Sequence, residues 1–379
     1  MASKKALPGF QNIPKSACVT GGSGFVGQRL VEMLVERGCN RVVSFDISPT
    51  PKNAMKSDKI EYFQGDITNP EHVERACKGT ECVFHIAALV GPYHAPAAYV
   101  KVNYEGTINV LNACKKLGVK KIVMSSSPST RFPFPDPNIN GFTEEKLLQI
   151  NGGEYAKQFL QPYAETKALG EKAVRDTCGT KEGDLLTIAV APHQVYGPRD
   201  GLFLPNLLET AGSGKLRIFG SGENLISFCH VDNYCHGLIL GAEALYPGSP
   251  ALGKYYVVTD GPAIKFWKVL DEAVVAMGFY SLWKKFHLPT WLMMGIAYLV
   301  LVLGNLYGAL SGTPSHVVNY HLKLNPFAVK MLVINRYFDI SAAERDLKYK
   351  PVIPFEQGWA QTIEWFKENW LPTYKANNK

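Results

Sequence analysis

The sequence predicts an α/β fold in which a doubly wound parallel sheet is followed by a smaller α/β C-terminal lobe. A glycine-rich loop over residues 20–27, Thr-Gly-Gly-Ser-Gly-Phe-Val-Gly, joins a short apolar run to an amphipathic segment. Apolar runs and helical segments then alternate through the first half of the chain. This alternation is typical of βαβ units, whose strands form parallel sheets. The loop and the alternation together indicate a Rossmann-type domain.

The elements of this first domain follow one another at short intervals. Strands are predicted over 16–20, 41–46, 59–66, 82–89, 121–127 and 185–192. Helices are predicted over 25–37, 69–78, 103–117 and around Tyr163. Gly38 ends the first helix, and the pair Asn69-Pro70 supplies an N-cap and a first helical residue for the second. We therefore assign residues 16–200 to the Rossmann domain.

From about Gly201 onward the alternation becomes less regular. Helices near 202–212, 231–245 and 263–278 are predicted to mix with short strands at 216–219 and 255–258. This pattern predicts a smaller substrate lobe over 201–370 that is intertwined with the first domain. The stretch 131–162, which is rich in proline and asparagine, is predicted to cover the substrate.

One apolar segment stands apart from the rest. Trp291–Leu310 is twenty residues long, carries no charge and follows Lys284 and Lys285. Its length and composition reach the lower limit for crossing a bilayer, and a buried helix of the lobe is the alternative. Because the sequence from 336 to 370 returns to the globular fold, we expect a monotopic or re-entrant membrane-contacting helix instead of a crossing.

Composition excludes several classes of protein. The chain of 379 residues has 46% hydrophobic and 19% charged residues, which indicates a folded protein. Its net charge of +7 is dispersed, so no nucleic-acid partner is expected. The eight cysteines form no Cys-x-x-Cys pair, and we expect reduced core residues with no metal site. No secretory signal is expected at the N-terminus.

The glycine loop has the context that a dinucleotide site needs. Gly21 allows a tight turn, Gly24 allows the backbone to approach a pyrophosphate, and Gly27 allows the following helix to pack on the sheet. The free N–H groups at the start of that helix, from Phe25 and Val26 onward, are predicted to face the phosphates.

Two acidic residues follow strands of the predicted sheet. Asp46 ends the second strand, where a carboxylate accepts both ribose hydroxyls and repels a 2′-phosphate, so NAD is favoured over NADP. Asp66 ends the third strand in Gly65-Asp66-Ile67. It either contacts the adenine or caps the turn before Asn69, and both interpretations stay open.

Tyr163 and Lys167 form the candidate catalytic pair. Four residues make about one helical turn, so the phenol and the ammonium share a face. A neighbouring cation favours the phenolate and so makes the tyrosine a better general base. Ser127, held extended by Pro128, could bind a substrate oxygen, and Ser126 competes for this role. The pattern predicts alcohol oxidation with hydride transfer to a nicotinamide.

Several motifs in combination resemble the extended short-chain dehydrogenases/reductases. They are Thr20-Gly21-x-x-Gly24-x-x-Gly27, Asp46, Val102-Asn103-x-x-Gly106-Thr107, the serines 125–127 and Tyr163-x-x-x-Lys167. The segments 163–172, 192–200 and 222–233 are similar to the 3β-hydroxysteroid dehydrogenase family. The resemblance implies that Tyr163 accepts the proton, Lys167 binds NAD and Ser127 assists. It also implies that Ile67, Asn103, Pro192 and Val195 contribute to the cofactor site.

Within that family the likeness is greatest to sterol-4α-carboxylate 3-dehydrogenases. This implies oxidation of a 3β-hydroxyl with loss of CO2, in C4 demethylation at the endoplasmic reticulum membrane, with the catalytic domain facing the cytosol. A sterol is the implied substrate, and other C4-demethylation enzymes and a second copy of the chain are candidate partners. A dehydrogenase/isomerase of C4-unsubstituted steroids is the nearest alternative, followed by a nucleotide-sugar epimerase and a non-catalytic nucleotide sensor.

Overall fold

The computed structural model describes residues 13–91, 94–313, 317 and 324–378. The strands in these ranges are β1 Ser16–Thr20, β2 Arg41–Asp46, β3 Ile60–Gln64, β4 Cys82–His85, β5 Lys121–Ser125, β6 Ile139–Phe142, β7 Leu186–Pro192, β8 Val195–Tyr196, β9 Leu225–Ser227, β10 Cys229–His230, β11 Tyr255–Val258, β12 Ala263–Lys265 and β13 Arg336–Phe338.

The α-helices in the same ranges are α1 Phe25–Glu36, α2 Pro70–Cys77, α3 Pro96–Tyr99, α4 Gly106–Leu117, α5 Glu144–Asn151, α6 Pro162–Asp176, α7 Leu204–Gly212, α8 Val231–Glu243, α9 Phe266–Ala276, α10 Thr290–Ser311, α11 Pro326–Val333, α12 Ser341–Asp346, α13 Phe355–Trp365 and α14 Leu371–Asn377. A π-helical segment, Val100–Glu105, joins α3 to α4, and a 3₁₀ turn, Pro128–Arg131, follows the serine run.

The main sheet is parallel and doubly wound, as the sequence predicts. Its strands run in the order β11-β7-β5-β4-β1-β2-β3. The helices α1 and α8 pack on one face, and α2, α4 and α6 pack on the other. The order of the strands reverses between β1 and β4, so a crevice forms there beyond their carboxyl ends. The glycine loop that follows β1 lies at this point.

Three strands end earlier than predicted, and the third ends at Gln64 instead of Asp66. The fourth ends at His85 instead of Leu89, because the N–H of Ile86 is shared between the carbonyl oxygen and the side chain of Thr20, and the N–H of Ala87 donates to that side chain. The fifth ends at Ser125 instead of Ser127. The N–H of Ser126 still donates to the carbonyl oxygen of Val190 over 2.9 Å, so the chain leaves the sheet at Ser127, at the carboxyl edge.

The second lobe is built on a sheet with the order β12-β9-β13-β6. The predicted strand 216–219 is wrong, since only Phe219 forms an isolated bridge, to Leu288. The predicted helix from 263 begins at Phe266, because 263–265 pairs with β9. The strand β6 comes from the proline-rich stretch of the first half, and β11 of the second half joins the main sheet. The two parts are thus interleaved.

The long apolar helix α10 is mostly exposed. In the described part of the chain it is the single helix that is long and apolar enough to cross a membrane, by length and composition. Trp291 at its start is 75% exposed and Leu310 near its end is 81% exposed. Met293 and Ala297 lie on its narrow buried side and join the core of the second lobe. The eight cysteines are free, and all except the partly exposed Cys178 are buried.

Candidate active site

Lys167 is buried at the carboxyl edge of the main sheet. Its helix, α6, begins with Pro162 in the first turn, and Lys167 lies on the buried face with 2% exposure. The Nζ atom donates a hydrogen bond to the carbonyl oxygen of Ser125 over 2.7 Å. Burial lowers the pKa of Lys167 to about 8, although the carboxylate of Glu171 acts in the opposite direction. Two N–H donors of the ammonium remain for a ligand.

Tyr163 lies one turn before Lys167 and is partly exposed. Its ring packs edge-on against Tyr99, with a centroid distance of 6.3 Å. Burial raises the pKa of Tyr163 to about 12, and the hydrogen bond with Ser127 only partly offsets this. The expectation that Lys167 brings the phenol towards neutrality is therefore wrong for the free protein, because desolvation of the phenolate outweighs the favourable interactions.

The three serines at the end of β5 have different partners. Ser125 accepts a hydrogen bond on Oγ from the hydroxyl of Tyr234 over 2.6 Å. Ser126 donates from Oγ to Glu171 over 2.5 Å and is buried. Ser127 has extended backbone, its Oγ lies 2.8 Å from Oγ of Ser129, and its hydroxyl favours the phenolate of Tyr163. Because Ser126 is committed to a buried carboxylate, Ser127 is the serine that can hold a substrate oxygen.

Glu171 and Arg131 form a buried ion pair behind this site, which the sequence analysis missed. The guanidinium bonds both carboxylate oxygens, over 2.9 Å and 2.5 Å, and both residues are nearly inaccessible. Burial alone would raise the pKa of Glu171, but Arg131 holds it below its usual range. The helical spacing of Lys167 and Glu171 could have indicated a shared face. No sequence signal connects Arg131 to it.

The glycine loop is shaped as the sequence predicts. Gly21 has a positive φ of 75°, and a Cβ at this position would lie 2.8 Å from the backbone N of Ala87. At Gly27 a Cβ would lie 1.9 Å from the carbonyl oxygen of Gly21. Gly24 is the N-cap of α1 and has no side chain to occupy the N–H groups of the first turn, which include those of Phe25 and Val26.

Asp46 is oriented by the loop that it faces. One carboxylate oxygen accepts from the N–H of Ser23 over 3.0 Å, and the other accepts from the N–H of Ser48 over 2.8 Å. Each oxygen keeps a further lone pair, so both remain available to ribose hydroxyls. An uncapped helix N-terminus beside an oriented carboxylate fits the diphosphate and ribose of NAD.

A buried histidine that the sequence analysis missed supports the same crevice. His85 Nδ1 lies 2.9 Å from Thr20 Oγ1, and its Nε2 lies 2.8 Å from Thr107 Oγ1. The Thr107 hydroxyl donates to the carbonyl oxygen of Asn103, so His85 carries its proton on Nε2. Burial lowers the pKa of His85 to about 3, and the residue stays neutral. The network fixes the ends of β1 and β4.

The remaining predicted cofactor residues have structural contacts of their own. Asp66 accepts from the N–H of Thr68 over 2.8 Å, so the capping interpretation is confirmed. Ile67 is buried and its carbonyl accepts from Asn109. The Asn103 amide bonds both backbone groups of Leu89 and thereby holds the loop after β4. Cofactor contact by these residues stays a prediction.

Pro192 and Val195 lie where β7 ends and β8 begins. Pro192 is paired with Val258 of β11, and Val195 is paired with Cys229 of β10. Between them His193 is buried, and Gln194 has a positive φ of 33°. This turn lies at the same edge of the sheet as Ser127. A role for Pro192 and Val195 at the nicotinamide remains a prediction.

Comparison with known proteins agrees with this site. The 3-beta hydroxysteroid dehydrogenase/isomerase family matches residues 18–289. A human sterol-4-alpha-carboxylate 3-dehydrogenase, decarboxylating, is 33% identical over 94% of this chain and 90% of its own length. A 2-alkyl-3-oxoalkanoate reductase of Stenotrophomonas maltophilia is 30% identical over 90% of this chain and 96% of its own length.

Solved structures support the fold. An epimerase of Methanothermobacter thermautotrophicus has a TM-score of 0.70 and 22% identity, and the match covers 95% of this chain and 94% of the epimerase.

The match to the family covers most of the chain and includes the glycine loop, the serine run and the Tyr163–Lys167 helix. The chain therefore belongs to the 3-beta hydroxysteroid dehydrogenase/isomerase family and is an oxidoreductase that acts on CH–OH groups.

Proposed function

We propose that the protein oxidises the 3β-hydroxyl of a 4α-carboxysterol to the 3-ketone with NAD, and that CO2 is lost from C4. The observation that carries the proposal is the convergence of Tyr163, Ser127 and Lys167 at the carboxyl edge of the sheet, beside a glycine loop that fits NAD. The activity for which the human relative is named supports the choice of substrate.

In this proposal Ser127 and Tyr163 hold the substrate hydroxyl between them. The Tyr163 phenolate takes the hydroxyl proton while the C3–H bond breaks, and Ser127 donates a hydrogen bond to the oxygen as it becomes a carbonyl. Lys167 supplies positive charge near the phenolate and donors for a ribose hydroxyl. When bound, NAD⁺ accepts the hydride from C3.

Loss of CO2 follows from the chemistry of the oxidised substrate. A ketone at C3 and a carboxylate on C4 make a β-keto acid. When the C4–carboxylate bond breaks, its electron pair enters the enolate of C3, and C4 then takes up a proton. The Tyr163 hydroxyl, protonated by the first step, and Ser127 are the donors that can stabilise the enolate oxygen.

Membrane contact through α10 belongs to the same proposal. A sterol is dissolved in lipid, and α10 presents an apolar surface that includes Leu299, Leu303 and Leu306, each more than half exposed. After α10 the chain returns to the second lobe through α11 and β13. An interfacial helix at the endoplasmic reticulum membrane satisfies both observations, whereas a crossing would separate β13 from its sheet.

The proposed function is tested by turnover in detergent. Purified protein with NAD and a 3β-hydroxy-4α-carboxysterol should produce NADH and CO2 in equal amounts. The dehydrogenase/isomerase activity would be assigned instead if NADH formed only with C4-unsubstituted 3β-hydroxysteroids, without CO2. A Δ5 steroid should then also yield a conjugated enone. Failure to reduce NAD with any 3β-hydroxysterol would refute both.

The membrane contact is tested by flotation with phosphatidylcholine vesicles. Replacement of Leu299, Leu303 and Leu306 by aspartate should abolish flotation, because charged groups are costly at the depth of an interfacial helix. Val275→Asp on α9 is the matched control, since Val275 is equally exposed but lies elsewhere. A triple variant that floats like the wild type would show that α10 does not contact lipid.

A further inference from the structure

Arg336 is a buried cation in the second lobe that the proposed mechanism leaves unused. It begins β13 and is 6% exposed. One terminal nitrogen donates to the carbonyl oxygen of Met331 over 2.8 Å. The other lies 3.4 Å from Nε2 of His193, and Nε is buried without a hydrogen-bond partner among the described residues. Since a guanidinium only donates, His193 accepts on Nε2.

No carboxylate balances this charge in the described ranges of the chain. The ion pairs found there do not include Arg336, and the residues outside those ranges contain no Asp or Glu. Burial lowers the pKa of Arg336 to about 10, so it stays charged at neutral pH. A buried, unpaired guanidinium is destabilising unless an anion completes its surroundings.

The register of the main sheet places His193, which Arg336 contacts, at the same carboxyl edge as Ser127. Ser125, the last residue of β5, pairs with Val190 of the neighbouring strand β7. Ser127 lies two residues after Ser125, and His193 directly follows Pro192, the last residue of β7. Arg336 contacts His193 from the second lobe, where it pairs with Ile139 of β6 and Ile226 of β9.

We propose that Arg336, supported by His193, binds the carboxylate of the substrate. This inference rests on the proposed function and deepens it, because it makes a β-hydroxy acid the unit that the site recognises. In a 4α-carboxysterol the carboxylate-bearing C4 adjoins the hydroxyl-bearing C3. A guanidinium close to Ser127 and Tyr163 can therefore hold the carboxylate while those residues hold the hydroxyl. Planar guanidinium and carboxylate groups match in two parallel hydrogen bonds.

The same unit occurs in a second class of substrate. A 2-alkyl-3-oxoalkanoate, named for the Stenotrophomonas maltophilia relative, also carries a carboxylate on the carbon next to the one that is oxidised or reduced. The proposal is thus specific for the carboxylate and its distance from the reacting carbon. Other residues select the apolar part of the substrate, which is either a sterol or an alkyl chain.

The test compares Arg336→Met with the wild type on three alcohols: a 3β-hydroxy-4α-carboxysterol, the same sterol without the carboxylate, and a 2-alkyl-3-hydroxyalkanoate. We expect kcat/KM for the carboxylated alcohols to fall about 100-fold, and kcat/KM for the uncharged sterol to change by less than about threefold. Arg336→Lys, which keeps the charge but not the two parallel bonds, should give an intermediate loss.

The outcomes separate this proposal from the proposed function. Equal losses on charged and uncharged sterols, or no loss on either, would overturn the role of Arg336 while leaving the sterol dehydrogenase in place. If the wild type turned over only the alkanoate, and Arg336→Met lowered kcat/KM for it, the carboxylate site would be retained and a sterol substrate would be rejected. A wild type that prefers the uncharged sterol would overturn the carboxylate site. NAD binding and thermal unfolding of each variant establish that it is folded.

Discussion

The two halves of the molecule each contain a buried arginine, and the surroundings of the two residues differ. Arg131, in the first half of the chain, bonds both oxygens of Glu171 and packs its guanidinium 3.4 Å from the ring centroid of Tyr255. Arg336, in the second lobe, bonds a backbone carbonyl and a neutral histidine, and it has no carboxylate partner among the residues that the structure describes. Both are almost inaccessible, at 2% and 6% exposure.

This difference separates a structural charge from one that is kept for a ligand. Arg131 neutralises Glu171 and through it fixes Ser126 beside Ser127, so its charge is used within the fold. Arg336 has no such internal anion in the described ranges. The first half therefore supplies a completed scaffold for the hydride-transfer chemistry, whereas the second lobe supplies an incomplete binding site that the substrate completes.

The largest effect is expected at the hydride-transfer chemistry. Tyr163→Phe removes the hydroxyl that takes the substrate proton, and kcat should fall at least about 1,000-fold. The affinity for NAD should change little, because the glycine loop and Asp46 are untouched. Initial rates and fluorescence titration with NADH measure the two quantities. A Tyr163→Phe variant with the kcat of the wild type would show that Tyr163 does not take the substrate proton.

Unfolding free energies test the two arginines directly. Arg131→Met leaves Glu171 buried without its partner and should destabilise the protein by about 3–5 kcal/mol. Arg336→Met removes an unbalanced charge and should leave the stability unchanged or slightly higher. Urea denaturation of both variants gives the comparison. If Arg336→Met were as destabilising as Arg131→Met, Arg336 would be a structural residue.

The pH dependence of oxidation tests whether Glu171 acts on the catalytic pair through the pKa of Lys167. The reactive form needs the Tyr163 phenolate and the Lys167 ammonium, and Lys167 loses its proton first, with a pKa of about 8 against about 12. The logarithm of kcat/KM should thus rise with pH at a slope near one and level off near pH 8, as expected for two linked ionisations.

In Glu171→Gln that profile should level off at a lower pH. The negative charge of Glu171 raises the pKa of Lys167, so its removal lowers that pKa further. Asp176→Asn is a control on the same helix, because Asp176 pairs with Lys172 at the exposed surface. A Glu171→Gln profile that coincides with the wild type would show that Glu171 does not act on Lys167.

The smallest effect is expected in the completed network beneath the cofactor crevice. Thr107→Val leaves the Nε2–H of His85 without its acceptor, which costs about 1–3 kcal/mol and should weaken NAD binding several-fold. Thr362→Val is the matched control, because the buried Thr362 hydroxyl bonds the carbonyl oxygen of Gly358 in its own helix, away from the crevice. Calorimetry gives the affinity of each variant for NAD. If Thr107→Val bound NAD as tightly as Thr362→Val, the network would have no role in cofactor binding.

Local patterns made the first half of the molecule predictable. The alternation of strands and helices, the glycine loop, Asp46 and the Tyr163–Lys167 spacing each depend on neighbours in sequence. The ends of the third, fourth and fifth strands are less predictable from such patterns. At the fourth, the Thr20 side chain accepts from the N–H groups of residues 86 and 87, although residue 86 also keeps its bond to the Thr20 carbonyl. The shift in the Tyr163 pKa was also misjudged, since desolvation depends on the whole fold.

The second lobe was less predictable because its contacts are distant in sequence. The strand β6 lies in a proline-rich stretch and is recognised only through pairing with β13, far along the chain. Residues 263–265 read as helix but are held as a strand by β9. Arg336 looks like an ordinary surface cation in the sequence. Only its burial beside His193 and the lack of an anionic partner in the described ranges point to its role.

The central claim, that Arg336 is kept for the substrate's anion, is tested most directly by binding without chemistry. The ligands are a 3-deoxysterol 4α-carboxylic acid, which can neither be oxidised at C3 nor lose CO2 as a β-keto acid, and its carboxamide, which has the same shape but no charge. Their dissociation constants should be measured by calorimetry in detergent with wild type and Arg336→Met. The wild type should prefer the acid by about 100-fold, and the variant should bind both alike. An equal preference for the acid in both proteins would contradict the account.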